Sequence, residues 1–537
     1  MTLPMEKTSI HDGRFDLLWG REKDSLLYGR HSGAVESKPE ASASYFNMGN
    51  DCKSKNRSEE AIAWYQRAVS VRPAFAEAYN NMGLVFQENG LLDASIRCFQ
   101  KAIESDPNLF QAYYNLGVSF ASRQDVDGAV LAFQQALALQ PDLSMAYNRL
   151  GAIFREQGRL DQAISCFRRE IEIDPGNAQA YNNLGSTLHD MGDVDEAIRC
   201  YQKSLHLRPD HVETRWNLAL AQLLTGNYLE GWSGYECRFG RKSHKPSSLE
   251  ITGVPQWDGS SFVGKRLLVQ EEQGLGDNLQ FVRYLPMVKE RGGTVILMID
   301  KPLVDLFSGL NGVDKMAECS SNEARDVNVD FHIPLMSLPR LFRTTLDTVP
   351  AHVPYLGAEG QRVQSWHERL KAFPGLKVGI CWQGNPSFKG DRFRSIPLKA
   401  FFGLAGLKGV QLISLQKHHG VDQLSDLPGH VSIADFGRFL DESTGAFVDT
   451  AALMKNLDLV ISSDTAIAHL AGALGVRVWV LLQKVPEWRW GLEGDRCPWY
   501  PTMRLFRQSH VGAWGDVFQR VLYELNDLVL NKDLANR

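Results

Sequence analysis

A 34-residue repeat in the front half of the chain is the sequence feature that most constrains its fold. Glycines, prolines and aromatic residues all recur at this spacing in one register. The three series are Gly49, Gly83, Gly117, Gly151 and Gly185, then Pro73, Pro107, Pro141, Pro175 and Pro209, then Tyr65, Phe99, Phe133, Phe167 and Tyr201. A fixed period of this length indicates stacked copies of one supersecondary unit that share a continuous core.

Each repeat has the pattern of two amphipathic helices. In the second repeat, the stretches AYNNMGLVFQENG and DASIRCFQKAIESDP show helical apolar spacing, with a glycine-containing turn and a closing proline. The periodic glycine lets the two helices approach closely, and we expect the aromatic residue to fill the space between neighbouring units. The pattern predicts five full repeats over residues 44–209 and a degenerate sixth, a cap or junction, in which Ala219 replaces the glycine.

These repeats resemble the tetratricopeptide repeat (TPR) family, a helical solenoid whose concave face usually binds a peptide or protein segment. An asparagine row follows the same period, with Arg149 interrupting it; its members are Asn47, Asn81, Asn115, Asn183 and Asn217. The row is similar to that of the O-linked N-acetylglucosamine transferases, in which the amides grip the backbone of a protein substrate. The alternative is that these amides satisfy neighbouring backbone groups, and both interpretations stay open here.

The chain changes character after the repeats. Residues 241–263 are rich in Ser, Gly and Pro and are predicted to be a linker. Short apolar runs then alternate with helical stretches, which predicts parallel sheets in two Rossmann-like domains, residues 264–370 and 371–537. The solenoid is assigned to residues 41–240, and the polar residues 1–40, which lie outside the repeat register, are predicted to be a flexible arm.

Composition excludes several classes of protein. With 58 basic and 63 acidic residues, the net charge of -5 argues against a strongly basic nucleic-acid-binding surface. Eight scattered cysteines without a CxxC pair indicate neither a zinc knuckle nor a disulfide framework. No run approaches the roughly 20 apolar residues that span a bilayer, so we expect a cytoplasmic protein without an integral membrane segment.

Ligands of parallel sheets bind beyond the carboxyl ends of the strands, so the residues at these positions carry most weight. In QEEQGLGDNLQF, Gly274 and Gly276 make a tight turn directly after a predicted strand, and Asp277 begins the helix that follows. Gly276 is a candidate phosphate contact. The glycines form a partial GxGxxG, because Leu279 occupies the third glycine position, and this disfavours a dinucleotide site. Asp277 is either a helix N-cap or a catalytic base.

Two later segments are candidates for holding a phosphate group. The loop CWQGNPSFKGDRFRSIPL carries Lys389 and Arg394, which either hold a diphosphate or belong to a solvated basic loop. In DLVISSDTAIAHLAGALG a helix N-terminus follows a strand and offers hydroxyl and backbone donors to a phosphate. Its first residues are Ser463, Asp464 and Thr465.

Three ring-bearing residues have two interpretations each. His469, one turn into the same helix, is either a ligand contact or a packing residue. Trp488 and Trp490, in a Pro- and Gly-rich segment after the last long strand, either stack on a nucleotide or sugar or form a lid over the core.

The motifs GLGDNLQ and ISSDTAIAHLAGALG together resemble the heptosyltransferase-like glycosyltransferases, over residues 264–537. That family has the GT-B fold, so the resemblance implies an α plus α/β protein in which a GT-B pair of Rossmann-like domains follows the solenoid. It implies a general base at Asp277, donor-sugar and phosphate contacts at Asp464 and Thr465, and a phosphate contact at Arg394 or Lys389. Here Ala466 replaces a glycine that is usual in the family. The implied reaction is inverting, with a nucleotide sugar as co-substrate and with neither metal nor cofactor.

Three hypotheses for the function follow. In the first, the repeats present a protein acceptor to the transferase. Flagellin or another surface protein is the leading candidate for this acceptor. In the second, a transferase of lipopolysaccharide or exopolysaccharide assembly is recruited through its repeats. In the third, the transferase part is inactive and the chain is a scaffold.

Overall fold

The computed structural model describes residues 39–241, 253–319, 328–388, 390–442 and 444–535. The predicted arm lies outside the described residues apart from its last two positions, and so do Lys389 and residues 242–252 of the predicted linker. The chain divides into two compact units, residues 1–187 and 188–537. This division falls before the predicted end of the solenoid at residue 240.

Twelve α-helices precede the first strand in the described part of the chain, two for each predicted repeat. In the first unit they are α1 Pro39–Ser54, α2 Ser58–Val71, α3 Ala76–Glu88, α4 Leu92–Ser105, α5 Phe110–Ser122, α6 Val126–Leu139, α7 Ser144–Glu156 and α8 Leu160–Ile173. Helix α9, Ala178–Met191, contains the division, and α10 Val194–Leu207, α11 Val212–Leu224 and α12 Tyr228–Tyr235 follow it.

The periodic glycine packs on the periodic aromatic ring of its own hairpin. A Cβ atom at Gly49 would lie 2.5 Å from the ring of Tyr65, and one at Gly117 would lie 2.8 Å from the ring of Phe133. Both rings are fully buried. The expectation that the ring fills the space between units is therefore incomplete, because the ring first closes its own hairpin. Tyr65 also joins a buried cluster with Met82 of the next hairpin.

The second unit contains two parallel sheets. The first has four strands in the order β3-β2-β1-β4, with bounds β1 Arg266–Gln270, β2 Thr294–Ile299, β3 Lys315–Glu318 and β4 Phe331–Pro334. Its helices are α13 Leu275–Phe281, α14 Leu285–Lys289, α15 Lys301–Val304 and α16 Leu338–Leu341. Since β2 and β4 flank β1 on opposite sides, the strand order reverses between β1 and β4. A crevice for a ligand is expected at the carboxyl ends of those two strands.

The second sheet has six parallel strands in the order β10-β9-β8-β5-β6-β7. The strands are β5 Leu376–Cys381, β6 Val410–Ser414, β7 Ile433–Asp435, β8 Leu459–Ser463, β9 Val478–Leu482 and β10 Met503–Arg507. Helix α17 Gly360–Leu370 precedes β5, and the later helices are α18 Asp391–Arg394, α19 Phe402–Ala405, α20 Val448–Met454, α21 Ala466–Ala473 and α22 Trp514–Ala535. Here the strand order reverses between β5 and β8, as in a doubly wound fold.

The strands of the second sheet form a buried core. Strands β8 and β9 are buried along their whole length, as expected for parallel strands covered on both faces. Trp382, Ile461 and Phe506 belong to one buried cluster with Val521 of α22. None of the helices in the described residues combines the length and apolar character needed to cross a membrane.

The last helical hairpin, α11 and α12, packs inside the second unit through aromatic rings. The ring of Trp232 on α12 meets Trp488 edge to face at a centroid distance of 5.1 Å. The indole of Trp499 donates to the Tyr228 hydroxyl at 3.2 Å. Phe281 of α13 completes this aromatic cluster. The degenerate sixth repeat is thus a junction with the α/β part, one of the two roles predicted for it.

A buried guanidinium from the same hairpin fills the crevice of the first sheet. Arg238, in a turn that follows α12, donates two hydrogen bonds to Glu272 after β1, at 2.9 and 2.8 Å. It also donates to Ser337, after β4, at 2.7 Å and to Glu236 at 2.6 Å. The side chains of Arg238 and Glu272 are only 2% and 3% exposed. Protein groups therefore occupy the point where the strand order of this sheet reverses.

Candidate functional site

The crevice of the second sheet lies where β5 and β8 end side by side. Thr465 is the N-cap of α21, and its hydroxyl lies 3.0 Å from Ser462 Oγ and 3.7 Å from Cys381 Sγ at the end of β5. Ser463 is fully buried, and its hydroxyl has no hydrogen-bond partner among the described residues. The start of α21 thus presents backbone N–H groups at the point where this fold places ligands.

Arg394 and Asp464 form the charged part of this crevice. Arg394 donates to Asp391 at 3.1 Å and lies over the ring of Phe388, with its carbon Cζ 4.7 Å from the ring centroid. Its side chain is 22% exposed. Burial raises the pKa of Asp464, and the positive charge of Arg394 opposes that rise. The structure therefore brings together Arg394, Asp464 and Thr465, while Lys389 lies outside the described residues.

Helix α13 of the first sheet packs directly against α21 of the second. A Cβ atom at Gly276 would lie 3.2 Å from His469 Cδ2 and 3.5 Å from the Cα atom of Ala466. Glycine at position 276 and a small residue at 466 therefore permit the close approach of the two helix starts. Gly276 is part of this helix contact, and its role in holding a phosphate stays a prediction.

His469 is enclosed between aromatic side chains. Its Nδ1 atom lies 3.0 Å from the Tyr500 hydroxyl, and its ring stacks on Trp490 at 5.2 Å. The residue is 6% exposed. Burial lowers the pKa of His469 well below its usual range, and the charge of Arg489 acts in the same direction. A neutral imidazole packed in this way fits the packing interpretation better than a direct ligand contact.

Asp277 lies at the start of α13 and uses both carboxylate oxygens. Oδ2 accepts a hydrogen bond from the N–H of Gly274 at 2.9 Å, so the side chain caps its own helix. Oδ1 forms an ion pair with Arg489 from the loop after β9. The side chain is 20% exposed, which leaves part of it open to the cleft between the two sheets.

Arg489 connects two carboxylates and is itself buried. Its guanidinium donates to Asp277, to Gln280 and, at 2.6 Å, to Glu487. Burial alone would lower the pKa of Arg489, but the charges of Glu487 and Asp277 outweigh burial and raise it. The guanidinium also lies over the Trp488 ring, 4.4 Å from its centroid. Arg489 is therefore a fixed positive charge in this cleft.

The sequence alone suggested no role for Arg489 or Glu487. The segment KVPEWRWG draws attention through its tryptophans, although it places an arginine and a glutamate beside them. A guanidinium is attracted to the face of a nearby aromatic ring, and Arg489 stands between Trp488 and Trp490 in the sequence. This was the available signal for the positively charged side of the site.

Both predicted stacking residues are core residues. Trp488 is 3% exposed and Trp490 is 1% exposed. Trp488 is packed against Trp232, Phe281 and Trp499, and Trp490 against His469. Rings buried to this extent cannot stack on a nucleotide or a sugar, so the predicted stacking role does not fit, and the alternative of a core lid does.

Within the asparagine row, two members bond to amides of the preceding hairpin. The amide of Asn81 donates to Asn50 at 2.9 Å, and that of Asn115 donates to Asn80 at 2.9 Å. The hydroxyl of Tyr65 also donates to Asn50, at 2.7 Å. These contacts are bonds between side chains of the array, a pairing that neither of the two predicted interpretations included.

The remaining members of the row have different surroundings. Asn47 on α1 is exposed. Asn183 on α9 is half-buried and accepts a hydrogen bond from Gln179 at 2.9 Å. Asn217 on α11 is also half-buried. The asparagines of this row therefore differ in their exposure to solvent and in their hydrogen-bond partners.

One further group of polar side chains lies at the carboxyl ends of β1, β2 and β3. Glu271 accepts hydrogen bonds from Cys319 Sγ at 3.4 Å and from the N–H of Asp300 at 2.8 Å. Burial raises the pKa of Glu271 to about 7; the hydrogen bond from the N–H of Asp300 opposes this rise, and the Asp300 carboxylate adds to it. Possible ligand atoms of these three residues lie within 4.8 Å of one another. No sequence motif joins these three residues.

Comparison with known proteins bears on the repeats. Models of the TPR repeat match residues 49–90 and 151–192, and models of the tetratricopeptide repeat match residues 80–144, 132–165 and 178–211. Residues 49–211 are tetratricopeptide repeats. The front half of this chain is accordingly a TPR helical solenoid, and the region that follows it is an α/β part with parallel sheets.

Individual relatives match over part of the chain. Protein FlbA of Caulobacter vibrioides is 28% identical over 325 residues, which cover 57% of this chain and 53% of FlbA. The chain thus spans about half the length of this curated relative. The crystal structure of YrrB, "a TPR protein with an unusual peptide-binding site", is 28% identical over 34% of this chain and 93% of its own, with a TM-score of 0.31. The crystal structure of MamA is 27% identical over 31% of this chain and 97% of its own, with a TM-score of 0.30.

Proposed function

We propose that this chain is a glycosyltransferase with GT-B architecture, which moves a sugar from a nucleotide sugar to a hydroxyl group of a protein acceptor held by its TPR domain. The observation that carries the proposal is the crevice of the second sheet, where Arg394, Asp464 and Thr465 converge. Helix α13 faces this crevice from the first sheet and adds Asp277. Two Rossmann-like sheets with their helix starts in contact are the arrangement expected of a GT-B cleft.

A difference between the two crevices supports a donor site at the second sheet. In the first sheet, Arg238 is bound to Glu272 and Ser337 at the point where the strand order reverses. A ligand there would have to displace a buried ion pair, which costs several kcal/mol per uncompensated ion. The crevice of the second sheet contains the exposed part of Arg394 and the start of α21, which are groups that a ligand can contact directly.

The chemistry of the second crevice suits a diphosphate. A phosphate group is favoured at a helix N-terminus because unpaired N–H groups and the helix dipole both attract negative charge. Arg394 adds a planar fork of donors that matches phosphate oxygens. These groups would bind the nucleoside diphosphate of the donor and stabilise it as the leaving group, so the proposed reaction needs no metal ion.

Transfer to a hydroxyl group also requires a proton acceptor. The carboxylates beside Arg489 lie at the interface of the two sheets and supply candidates for this role. Asp277 is the one that the family resemblance nominates. In a single displacement, the hydroxyl oxygen attacks the anomeric carbon as its proton leaves, which inverts the configuration of the sugar.

The TPR domain supports a protein acceptor. Stacked helical hairpins create an extended surface that binds peptides or protein segments, and the similar protein YrrB has a peptide-binding site. Within the asparagine row, Asn81 and Asn115 are already bonded within the array, so gripping a peptide backbone would require their amides to exchange partners. Flagellin or another surface protein remains the proposed acceptor.

A thermal-shift experiment tests the proposal directly. Wild type would be heated with UDP, GDP, ADP or CMP and with the matching nucleotide sugars. One nucleotide is expected to stabilise the protein, by about 2.7 kcal/mol at a concentration 100 times its Kd. Arg394→Ala and Thr465→Ala are expected to lose this stabilisation, while the control Arg392→Ala, whose guanidinium lies over the ring of Phe393 in the same loop, keeps it.

Either of two outcomes would count against the proposal. If none of the nucleotides stabilises wild type, the second crevice is not a donor site and the scaffold hypothesis gains. If a nucleotide stabilises Arg394→Ala and Thr465→Ala as strongly as wild type, a nucleotide site exists elsewhere in the chain and the assignment of these residues is wrong.

A further inference from the structure

Two carboxylates share a single guanidinium in the proposed active site. Arg489 donates one arm to Asp277 and another arm to Glu487, at 2.6 Å in the second case. One positive charge compensates one carboxylate, so the second carboxylate is left with partial compensation at most. The two residues therefore face different electrostatic conditions, and the structure indicates which of them is suited to accept a proton.

Asp277 holds together two elements of the cleft. Its two oxygens accept from the N–H of Gly274, at the start of α13, and from Arg489, in the loop after β9. Moving this carboxylate toward a substrate would uncap the helix and release the guanidinium. Its geometry is that of a residue that fixes its neighbours in position.

Glu487 is bound more locally and is more open. Its partners both belong to Arg489, two residues later: the guanidinium at 2.6 Å and the backbone N–H at 3.1 Å. Its side chain keeps 34% of its surface exposed, compared with 20% for Asp277. A movement of the Glu487 carboxylate would therefore leave the cap of α13 intact.

The charges around Glu487 favour proton uptake near neutral pH. The groups that face it are Arg489 on its own loop, Asp464 at the start of α21 and Tyr228 on α12, with Asp277 beyond Arg489. Although the side chain is partly exposed, desolvation by the surrounding protein raises the pKa of Glu487 to about 7; Arg489 opposes this rise and Asp464 adds to it. A general base works best with a pKa near the operating pH.

We propose that Glu487 is the catalytic base of the transfer and that Asp277 is a positioning residue that holds Arg489. This inference rests on the proposed function. The acceptor hydroxyl gives its proton to a Glu487 carboxylate oxygen while its oxygen bonds to the anomeric carbon of the donor. The bond from that carbon to the diphosphate oxygen breaks, and the nucleoside diphosphate leaves with the electron pair. Glu487 then returns its proton to solvent.

The test compares Glu487→Gln, Asp277→Asn and the control Glu493→Gln, an exposed carboxylate in the same loop. The donor is the nucleotide sugar that stabilises wild type, water serves as acceptor, and released nucleoside diphosphate is measured from about pH 5.5 to about pH 8.5, around the usual range of a tuned base. In wild type, kcat/KM is expected to fall as pH drops through about 7, because a protonated Glu487 accepts no proton.

The variants then separate the two roles. Glu487→Gln is expected to lower kcat/KM by about 10²- to 10⁴-fold at the pH optimum and to abolish the acid limb of the profile. Asp277→Asn is expected to be slower than wild type but to keep the acid limb. The limb should move to lower pH, because Arg489 then has Glu487 as its remaining charged partner and lowers the pKa of Glu487 further. Glu493→Gln should match wild type.

A second readout does not depend on turnover. Carbodiimide reacts with protonated carboxyl groups, so mass spectrometry of labelled wild type should find Glu487 reactive up to about pH 7, where ordinary carboxylates are ionised. The inference is overturned if the acid limb persists in Glu487→Gln and disappears in Asp277→Asn, or if Glu487 escapes labelling near neutral pH. Absence of donor binding in wild type would instead overturn the proposed function.

Discussion

Replacing Arg238 by methionine should destabilise the second unit strongly. The guanidinium makes two hydrogen bonds to Glu272 and one each to Ser337 and Glu236, and both members of the main ion pair are almost fully buried. Methionine fills much of the volume of the arginine stem but leaves the carboxylate of Glu272 without a counter-charge. Removing one partner of a buried pair costs about 3–5 kcal/mol.

The magnitude can be checked against a matched surface pair from the same segment. Arg241 lies three residues further along, pairs with Glu213 at 3.0 Å, and has a side chain 23% exposed against 47% for its partner. Because solvent screens this pair, Arg241→Met should cost less than about 1 kcal/mol. The double change Arg238→Met with Glu272→Met should recover much of the single loss, because no uncompensated charge remains.

Urea unfolding followed by tryptophan fluorescence is the appropriate assay, since most of the twelve tryptophans lie in residues 188–537. The reasoning is refuted if Arg238→Met and Arg241→Met lose similar free energies of unfolding. It is also refuted if the double variant is less stable than Arg238→Met alone, because the loss would then come from packing or from polar neighbours instead of an unpaired charge.

Two further predictions concern the repeats and the cleft. Phe133→Ala removes a fully buried ring that packs on Gly117, and should lower the free energy of unfolding by about 3–5 kcal/mol, measured by urea unfolding followed by far-UV circular dichroism. Leu131 is 63% exposed on the same helix, so Leu131→Ala should change this free energy by less than about 0.5 kcal/mol. Equal losses in the two variants would contradict the prediction. Burial lowers the pKa of His469. Below about pH 6.5 this histidine is therefore protonated in the unfolded chain but neutral in the folded chain. The free energy of unfolding should then fall by up to about 1.4 kcal/mol per pH unit as the pH decreases. His469→Gln should flatten that part of the stability curve, and an unchanged slope would show that His469 is not the group responsible.

The repeats were predictable because one period acts on several residues at once. The spacing of Gly117 from Gly83 and of Phe133 from Phe99 fixes which helix pairs form and which faces are buried. What the period does not contain is the identity of polar partners. The bond from Asn81 to Asn50 joins two different positions of the repeat, so comparing equivalent positions does not reveal it.

The candidate site was predictable where it depends on strand ends and was missed where it depends on packing between distant segments. Arg394 and Thr465 follow buried strands, and that placement, together with the family resemblance, marked them. Arg489 meets Asp277 across 212 positions of sequence, and no local pattern specifies such a contact. Trp488 was assigned two alternatives for the same reason, because its burial depends on Trp232 from the helical hairpin.

The helical hairpin α11–α12 is packed into the α/β part at two places. Its Trp232 packs on Trp488, and Trp488 supports the guanidinium of Arg489 through ring stacking. Its following turn supplies Arg238, which fills the crevice of the first sheet. Loss of this hairpin would therefore loosen the Arg489 loop and expose the carboxylate of Glu272 at once. The last repeat is therefore a structural component of the α/β part as well as the end of the repeat series.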